Sequence, residues 1–158
     1  MGRAAQWSGS EAVRPARGWT GGSVAGVSDP QVVPYLLYAD ADAAMDWLIE
    51  VFGFTERARD RRGDGTVRHG ELMLDGGGVI MMGSPGAGFR GPASLGGVTQ
   101  MQCITIADVP THRGHAQGAG AAVSEIDLRA GRARSYTVDD PEGHRWYFSE
   151  PLHPSQER

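Results

Sequence analysis

The sequence predicts an α+β fold made of two βαβββ modules. Three observations carry this. Short runs alternate apolar and polar side chains with a period of two, as Trp146 and Phe148 do against Arg145, Tyr147 and Ser149. Two longer runs carry helical stripes, each preceded by an aspartate fit to cap it: Asp40 or Asp42 in the first, Asp108 in the second. The order strand, helix, three strands then occurs twice. Tyr38-Ala39-Asp40 and Ile106-Ala107-Asp108 stand in equivalent places about 70 residues apart, the mark of a duplicated unit.

The first module spans residues 31–83. Val32 to Tyr38 is a continuous apolar run, as for a strand covered on both faces. The helix that follows runs to about Phe52. Ala44, Met45, Trp47, Leu48, Val51 and Phe52 make its buried stripe, Asp42, Asp46 and Glu50 a solvated acidic face. Gly53 stands where a helix-ending glycine belongs. Phe54 to Arg61 is charged and reads as an edge strand, and Gly63-Asp64-Gly65 turns the chain into a strand from Thr66 to Asp75. There Leu72 and Leu74 share one face, and His69, Glu71 and Met73 the other. Gly76-Gly77-Gly78 turns again and Val79 to Gly83 completes the module.

Residues 84–98 form a Gly/Pro-rich linker. It holds Gly86-Ala-Gly-Phe-Arg-Gly91, a formal match to the dinucleotide-binding glycine pattern, but Pro92 and the lack of helical periodicity deny it the helix that such a phosphate cradle needs. The second module spans residues 99–151. Met101 to Ala107 is a strand, and a helix weakened by Pro110 and Gly114 runs from Asp108 to about Ala119, ended by Gly118 or Gly120. Ala121 to Leu128, Arg134 to Val138 and His144 to Ser149 are the remaining strands. The last two flank a turn, Asp140-Pro141-Glu142-Gly143, in which proline presets φ and glycine supplies the positive φ that reverses the chain. Residues 1–30 and 152–158 read as tails, the first disordered, with Trp7 and Trp19 its only apolar handles.

Composition excludes several classes. The chain has 158 residues, 40% hydrophobic and 22% charged, the balance of a globular domain. A net charge of −4 offers no basic stripe for nucleic acid. No apolar run approaches the roughly 18 residues that span a bilayer, and no apolar segment follows the basic start as in a signal peptide. One cysteine, Cys103, excludes an internal disulfide, so a cytoplasmic location is expected.

Three motifs, Tyr35-Leu-Leu-Tyr-Ala-Asp-Ala-Asp-Ala-Ala44, Phe52-Gly-Phe54 and Asp140-Pro-Glu-Gly-His-Arg-Trp146, set in a double βαβββ pattern, resemble the vicinal oxygen chelate superfamily. That superfamily includes glyoxalase I, extradiol dioxygenases and bleomycin-resistance proteins. The resemblance covers about Gln31 to Pro151. It implies curved mixed sheets around a shared cleft, often completed by homodimerisation, and, in metal-using members, four His or Glu ligands from equivalent strand positions. Here those positions hold Val33, Met81, Cys103 and Tyr147, and a shift of two residues brings in Tyr35, Thr105 and Arg145 instead. Neither set suits a divalent ion, so neither metal nor cofactor is expected. The same register turns Val33, Tyr35, Leu37, Met81, Cys103, Thr105, Arg145, Tyr147 and Ser149 to the cleft, with Cys103 buried. It turns Leu36, Ile80, Ile104, Ile106, Trp146 and Phe148 to the core. Such a cleft suits a flat organic ligand.

His69 and Glu71 share a strand face about 7 Å apart, and fit a general base with an orienting carboxylate, two substitute metal ligands, or simple pocket polarity. Arg134 and Tyr136, which relatives often carry after a glycine that is Arg132 here, fit either a clamp on a carboxylate or phenolate or a structural pair. His112 and His115, one turn apart with no third ligand, read as surface or packing residues. The first functional reading is a glyoxalase-like protein that binds a small organic molecule without the metal quartet, of the sequestering resistance type and homodimeric. The second is a lyase, isomerase or dioxygenase using a displaced metal or the His69/Glu71 pair.

Overall fold

Asp40 starts the first helix as expected: its carboxylate accepts the Asp42 and Ala43 N–H groups at 3.1 Å each. That helix, α1 (Ala41–Phe52), ends at Gly53, whose φ of 71° is the left-handed cap that a side chain would oppose. The computed structural model describes residues 32–74, 76–129 and 132–152. The predicted N-terminal tail, the C-terminal tail beyond Leu152 and Asp75, the predicted end of the Thr66 strand, lie outside them.

Around α1 stand β1 (Tyr35–Leu37), β2 (Thr55–Arg61), β3 (Val67–Met73) and β4 (Val79–Gly83), a sheet of order β1-β4-β3-β2. A short helix, α2 (Pro92–Leu95), follows. The second module repeats the plan with β5 (Met101–Thr105), α3 (Val109–Gly118), β6 (Asp127–Arg129), β7 (Ala133–Asp139) and β8 (Arg145–Pro151), in the order β5-β8-β7-β6. Each sheet is mixed, because its first and last strands run parallel. The fold is the α+β pair of βαβββ modules that the sequence predicts. No helix among the described residues is long and apolar enough to cross a membrane.

Three elements differ from expectation. β1 is short, and Tyr35 and Leu37 are 39% and 40% exposed, so the run is not covered on both faces. It is an edge strand with α1 on one side only. The predicted strand from Ala121 shrinks to β6, because the Ser124 Oγ accepts the Thr137 N–H at 2.9 Å and takes the place of a ladder carbonyl. Within the linker, Pro92 sits at the first turn of α2, where its missing N–H costs nothing. Four residues are too few for the helix that the glycine pattern would require.

One face of each sheet is buried by its helix. Leu36, Leu72, Ile80, Met82, Trp146 and Phe148 lie there, with Ile104 and Ile106 packed against them. The approach is close at Gly70, where an added Cβ would stand 2.4 Å from the Met45 Sδ. The two helix-covered faces meet in one core. Phe52 at the end of α1 packs on Trp146 and Phe148 of β8, with ring centroids 5.4 and 4.8 Å away. Within the chain, therefore, the modules join through their helix sides, and the uncovered sheet faces look away from one another.

The closing hairpin fastens this arrangement. Glu142 accepts the Ala39 and Asp40 N–H groups at 2.7 and 2.8 Å, which ties the Asp-Pro-Glu-Gly turn to the start of α1. Gly143 has a φ of 87°, and a Cβ there would stand 2.8 Å from the Ala93 nitrogen, so α2 rests on the turn only because the residue is glycine. The His144 Nε2–H donates to the Leu37 carbonyl at 3.0 Å.

Candidate functional site

The candidate site lies on the uncovered faces. On the first sheet the register places Tyr35 beside Met81, and Met81 beside Glu71. Tyr35 bends over Gly83: its hydroxyl donates to the Arg68 carbonyl at 3.3 Å, and a Cβ at residue 83 would stand 2.7 Å from that hydroxyl. Burial pushes the Tyr35 phenol up from its ordinary value, with Arg62 acting weakly the other way. The Tyr35 ring lies 5.9 Å from the His69 ring, and the His69 Nε2 lies 2.9 Å from the Glu71 Oε1. A carboxylate only accepts, so Nε2 carries the proton. The other Glu71 oxygen faces Arg57 at 3.5 Å. His69 and Glu71 thus come together as predicted, with Glu71 buried and His69 half-buried.

Beside this row, Tyr35 and Leu37 form one wall of an open groove of about 240 Å3, with Phe89, Arg90, Leu95 and Val98 of the linker opposite. Sequence reasoning missed these linker residues, because the Gly/Pro-rich stretch carries no periodicity from which to place them.

On the second sheet the uncovered face carries Met101, Cys103 and Thr105 of β5 in register with Arg145, Tyr147 and Ser149 of β8. Met101 is 50% exposed. Arg145 donates to both oxygens of Asp139 at 2.8 Å, and this fork holds the Asp139 carboxyl below and the Arg145 guanidinium above their ordinary values.

Four expectations need correction. Cys103 is exposed, because β5 is an edge strand whose outer face no helix among the described residues covers. Tyr136 is buried on the opposite side: it pairs with Phe148, and directly paired residues share a face. Its hydroxyl lies 2.7 Å from the His112 Nδ1, and burial drives it well above its ordinary range. Arg134 lies with it, opposite Glu150 and 3.6 Å from that carboxylate, which accepts the Val109 N–H at the start of α3. Arg134 and Tyr136 thus stand on the helix side of the sheet, apart from the uncovered row. Val33, finally, precedes β1. Internal symmetry places Tyr35 where it was expected: Tyr38 N–H donates to the Gly83 carbonyl as Ile106 N–H does to that of Ser149, so Tyr35 answers to Cys103 and Met81 to Tyr147.

The four equivalent positions therefore hold a phenol, a thioether, a thiol and a second phenol. They do not fit the His/Glu set of a divalent ion. Among the described residues no three His, Cys, Asp or Glu side chains are grouped to hold a metal.

Two βαβββ modules, each with its first and last strands paired in parallel and one sheet face left uncovered, define a glyoxalase-type scaffold. The family model for the Glyoxalase/Bleomycin resistance protein/Dioxygenase superfamily matches residues 23–148, and the chain belongs to that superfamily. It is 31% identical to TioX from Micromonospora sp. ML1, covering 80% of this chain and all of that one (100%), with a TM-score of 0.61. It is 30% identical over 129 residues to the uncharacterised protein Rv0887c of Mycobacterium tuberculosis, covering 78% of this chain and 76% of that one. The bleomycin resistance determinant encoded on transposon Tn5 shares the fold at 15% identity, covering 79% of this chain and 100% of that one, with a TM-score of 0.62.

Proposed function

We propose that this protein binds a small, flat organic molecule against its uncovered sheet faces, without a metal, and that a second copy closes the cleft. The observation that carries the reading is the row Tyr35–Met81 and its counterpart Cys103–Tyr147, aromatic and sulfur side chains where a metal-using member places its ligands. Such surfaces favour stacking and dispersion over coordination. Their exposure supports the dimer, since an apolar face left open in one copy is relieved when another covers it. A protein of this kind acts by sequestering its ligand, as a resistance determinant does, and with one cysteine it suits the cytoplasm.

The test is a thermal-shift screen of planar aromatic compounds, with oligomeric state by light scattering and metal content by elemental analysis. The expected result is a metal-free dimer stabilised by an aromatic ligand, the gain being lost in Tyr147→Ala. A ligand at 100 times its Kd adds about 2.7 kcal/mol of stability. Stoichiometric bound metal, or a monomer that no compound stabilises, overturns the reading.

One observation favours the second reading, a lyase, isomerase or dioxygenase with a displaced site: His69 and Glu71 are hydrogen-bonded at 2.9 Å on an uncovered face. Metal bound by the wild type and lost in His69→Ala would establish it.

A further inference from the structure

His69 is oriented as though its working atom were the other nitrogen. Its Nε2–H is taken by Glu71 at 2.9 Å, which fixes the tautomer with the lone pair on Nδ1. Nδ1 has no hydrogen-bond partner among the described residues, while the side chain is 26% exposed against 10% for Glu71. The carboxylate is in turn steadied by Arg57. Beside the imidazole, ring centroid to ring centroid 5.9 Å, stands the Tyr35 ring, held over Gly83 by its own hydroxyl, so that its hydrogen-bonding atom is engaged by the Arg68 carbonyl. One polar acceptor thus lies beside one aromatic surface whose polar end is already satisfied.

We infer that the ligand is a phenol-class aromatic, which lays its ring along Tyr35 and donates its hydroxyl hydrogen to the His69 Nδ1. The inference rests on the binding reading above and names the class of molecule bound. The corner asks for a hydrogen-bond donor carried on a ring, and a phenol supplies one in the ring plane: an acceptor without hydrogen leaves Nδ1 unpaired. For an acidic phenol the contact extends to proton transfer. The O–H bond breaks, an N–H bond forms at Nδ1, and the resulting imidazolium sits between phenolate and Glu71 carboxylate. Glu71 is the positioning residue in this step. Asp60, opposite His69 in register, is engaged by Arg68 and competes little for the proton.

Two matched probes test this with the full-length protein: 4-nitrophenol and its methyl ether, 4-nitroanisole, which has the ring but no O–H. Wild type is expected to bind the phenol more tightly, on the order of tenfold for one hydrogen bond to a group that becomes charged. The bound phenol should also show a stronger nitrophenolate absorption band than free phenol at the same pH. In His69→Gln the tenfold preference and the extra band should vanish while ether binding persists, which also reports that the site is still folded. In Glu71→Gln the ether should bind unchanged while the band weakens, a spectroscopic change that a merely structural role would not produce. Equal binding of phenol and ether by wild type, or a preference that survives in His69→Gln, overturns the inference and leaves the binding reading standing. Failure of both probes to bind overturns the inference, while the binding reading falls only if the thermal-shift screen also finds no ligand.

Discussion

The Tyr38 hydroxyl donates to the Asp140 Oδ2 at 2.7 Å, joining residues 102 positions apart, one at the end of the first strand and one at the closing turn. The same oxygen accepts the Trp146 Nε1–H at 3.1 Å, and the Asp140 Oδ1 accepts the N–H groups of Glu142 and His144 at 3.1 and 2.9 Å. Asp140 is buried, as are Tyr38 and Trp146. Burial first, and the Asp140 carboxylate beside it second, drive the Tyr38 phenol well above its ordinary range. Asp140→Ala would strand two buried donors and loosen the turn. We expect a loss of about 3 kcal/mol, and about 1 kcal/mol for Tyr38→Phe, both read as urea midpoints.

The core was legible because one rule, alternation, held wherever a helix covers a sheet. Leu36, Ile80, Trp146 and Phe148 followed it, and so did the pairing of His69 with Glu71. Tyr136 was misplaced because Arg134 and Tyr136 were read from family habit, while their parity with Val138 already put them on the core side. Val33 was misplaced although the equivalence of Tyr38 with Ile106 already sets Tyr35 against Cys103 by counting back three residues; the hydrogen bonds at Tyr38 and Ile106 fix that register. How the modules meet is carried by long-range contacts such as that of Glu142 with Ala39, and no local pattern encodes those. The motif legible as a turn thus proved also to be a clasp.

His112 links the two helices, with Nδ1 2.7 Å from the Tyr136 hydroxyl and Nε2 3.3 Å from the Phe52 carbonyl. The carbonyl fixes the proton on Nε2, so Nδ1 accepts from the tyrosine. Burial pulls its pKa below the ordinary 6.5, the Phe52 carbonyl opposing and His115 adding weakly. The unfolded chain then takes up a proton that the folded one resists, so this contribution to stability is intact above about pH 6.5 and declines as pH falls below it. Thermal midpoints at a series of pH values should drop through that window, and His112→Gln should flatten the drop.

Arg145 and Asp139 make a bidentate pair that looks strong at 2.8 Å, yet each side chain is nearly half exposed. Solvent screening and the ordering of a long side chain leave such a pair worth little. Arg145→Ala should cost no more than about 1 kcal/mol, and the cost should shrink further in high salt. That figure holds for the single chain; the dimer proposed above would cover this face and raise the cost, so the same variant measured in dilute and concentrated protein reports whether the second copy sits there.

Gly83 is where stability and binding can be separated. A Cβ there would stand 2.5 Å from the Arg68 carbonyl oxygen and 2.7 Å from the Tyr35 hydroxyl. The backbone atom belongs to a paired strand and yields little, whereas the tyrosine can swing out. In Gly83→Ala the ring should therefore leave its place beside His69, at a cost of about 1–3 kcal/mol, the usual range for an overpacked position. Adding Tyr35→Phe to Gly83→Ala removes one of the two clashes and should recover part of that loss, because the residues share a contact and their effects do not add. Ligand affinity should fall in Gly83→Ala by more than the stability change explains at saturating folded protein, since the aromatic surface itself has moved. Calorimetric binding to a ligand from the thermal-shift screen, run beside urea unfolding on the same variants, distinguishes this from a uniform weakening of the fold.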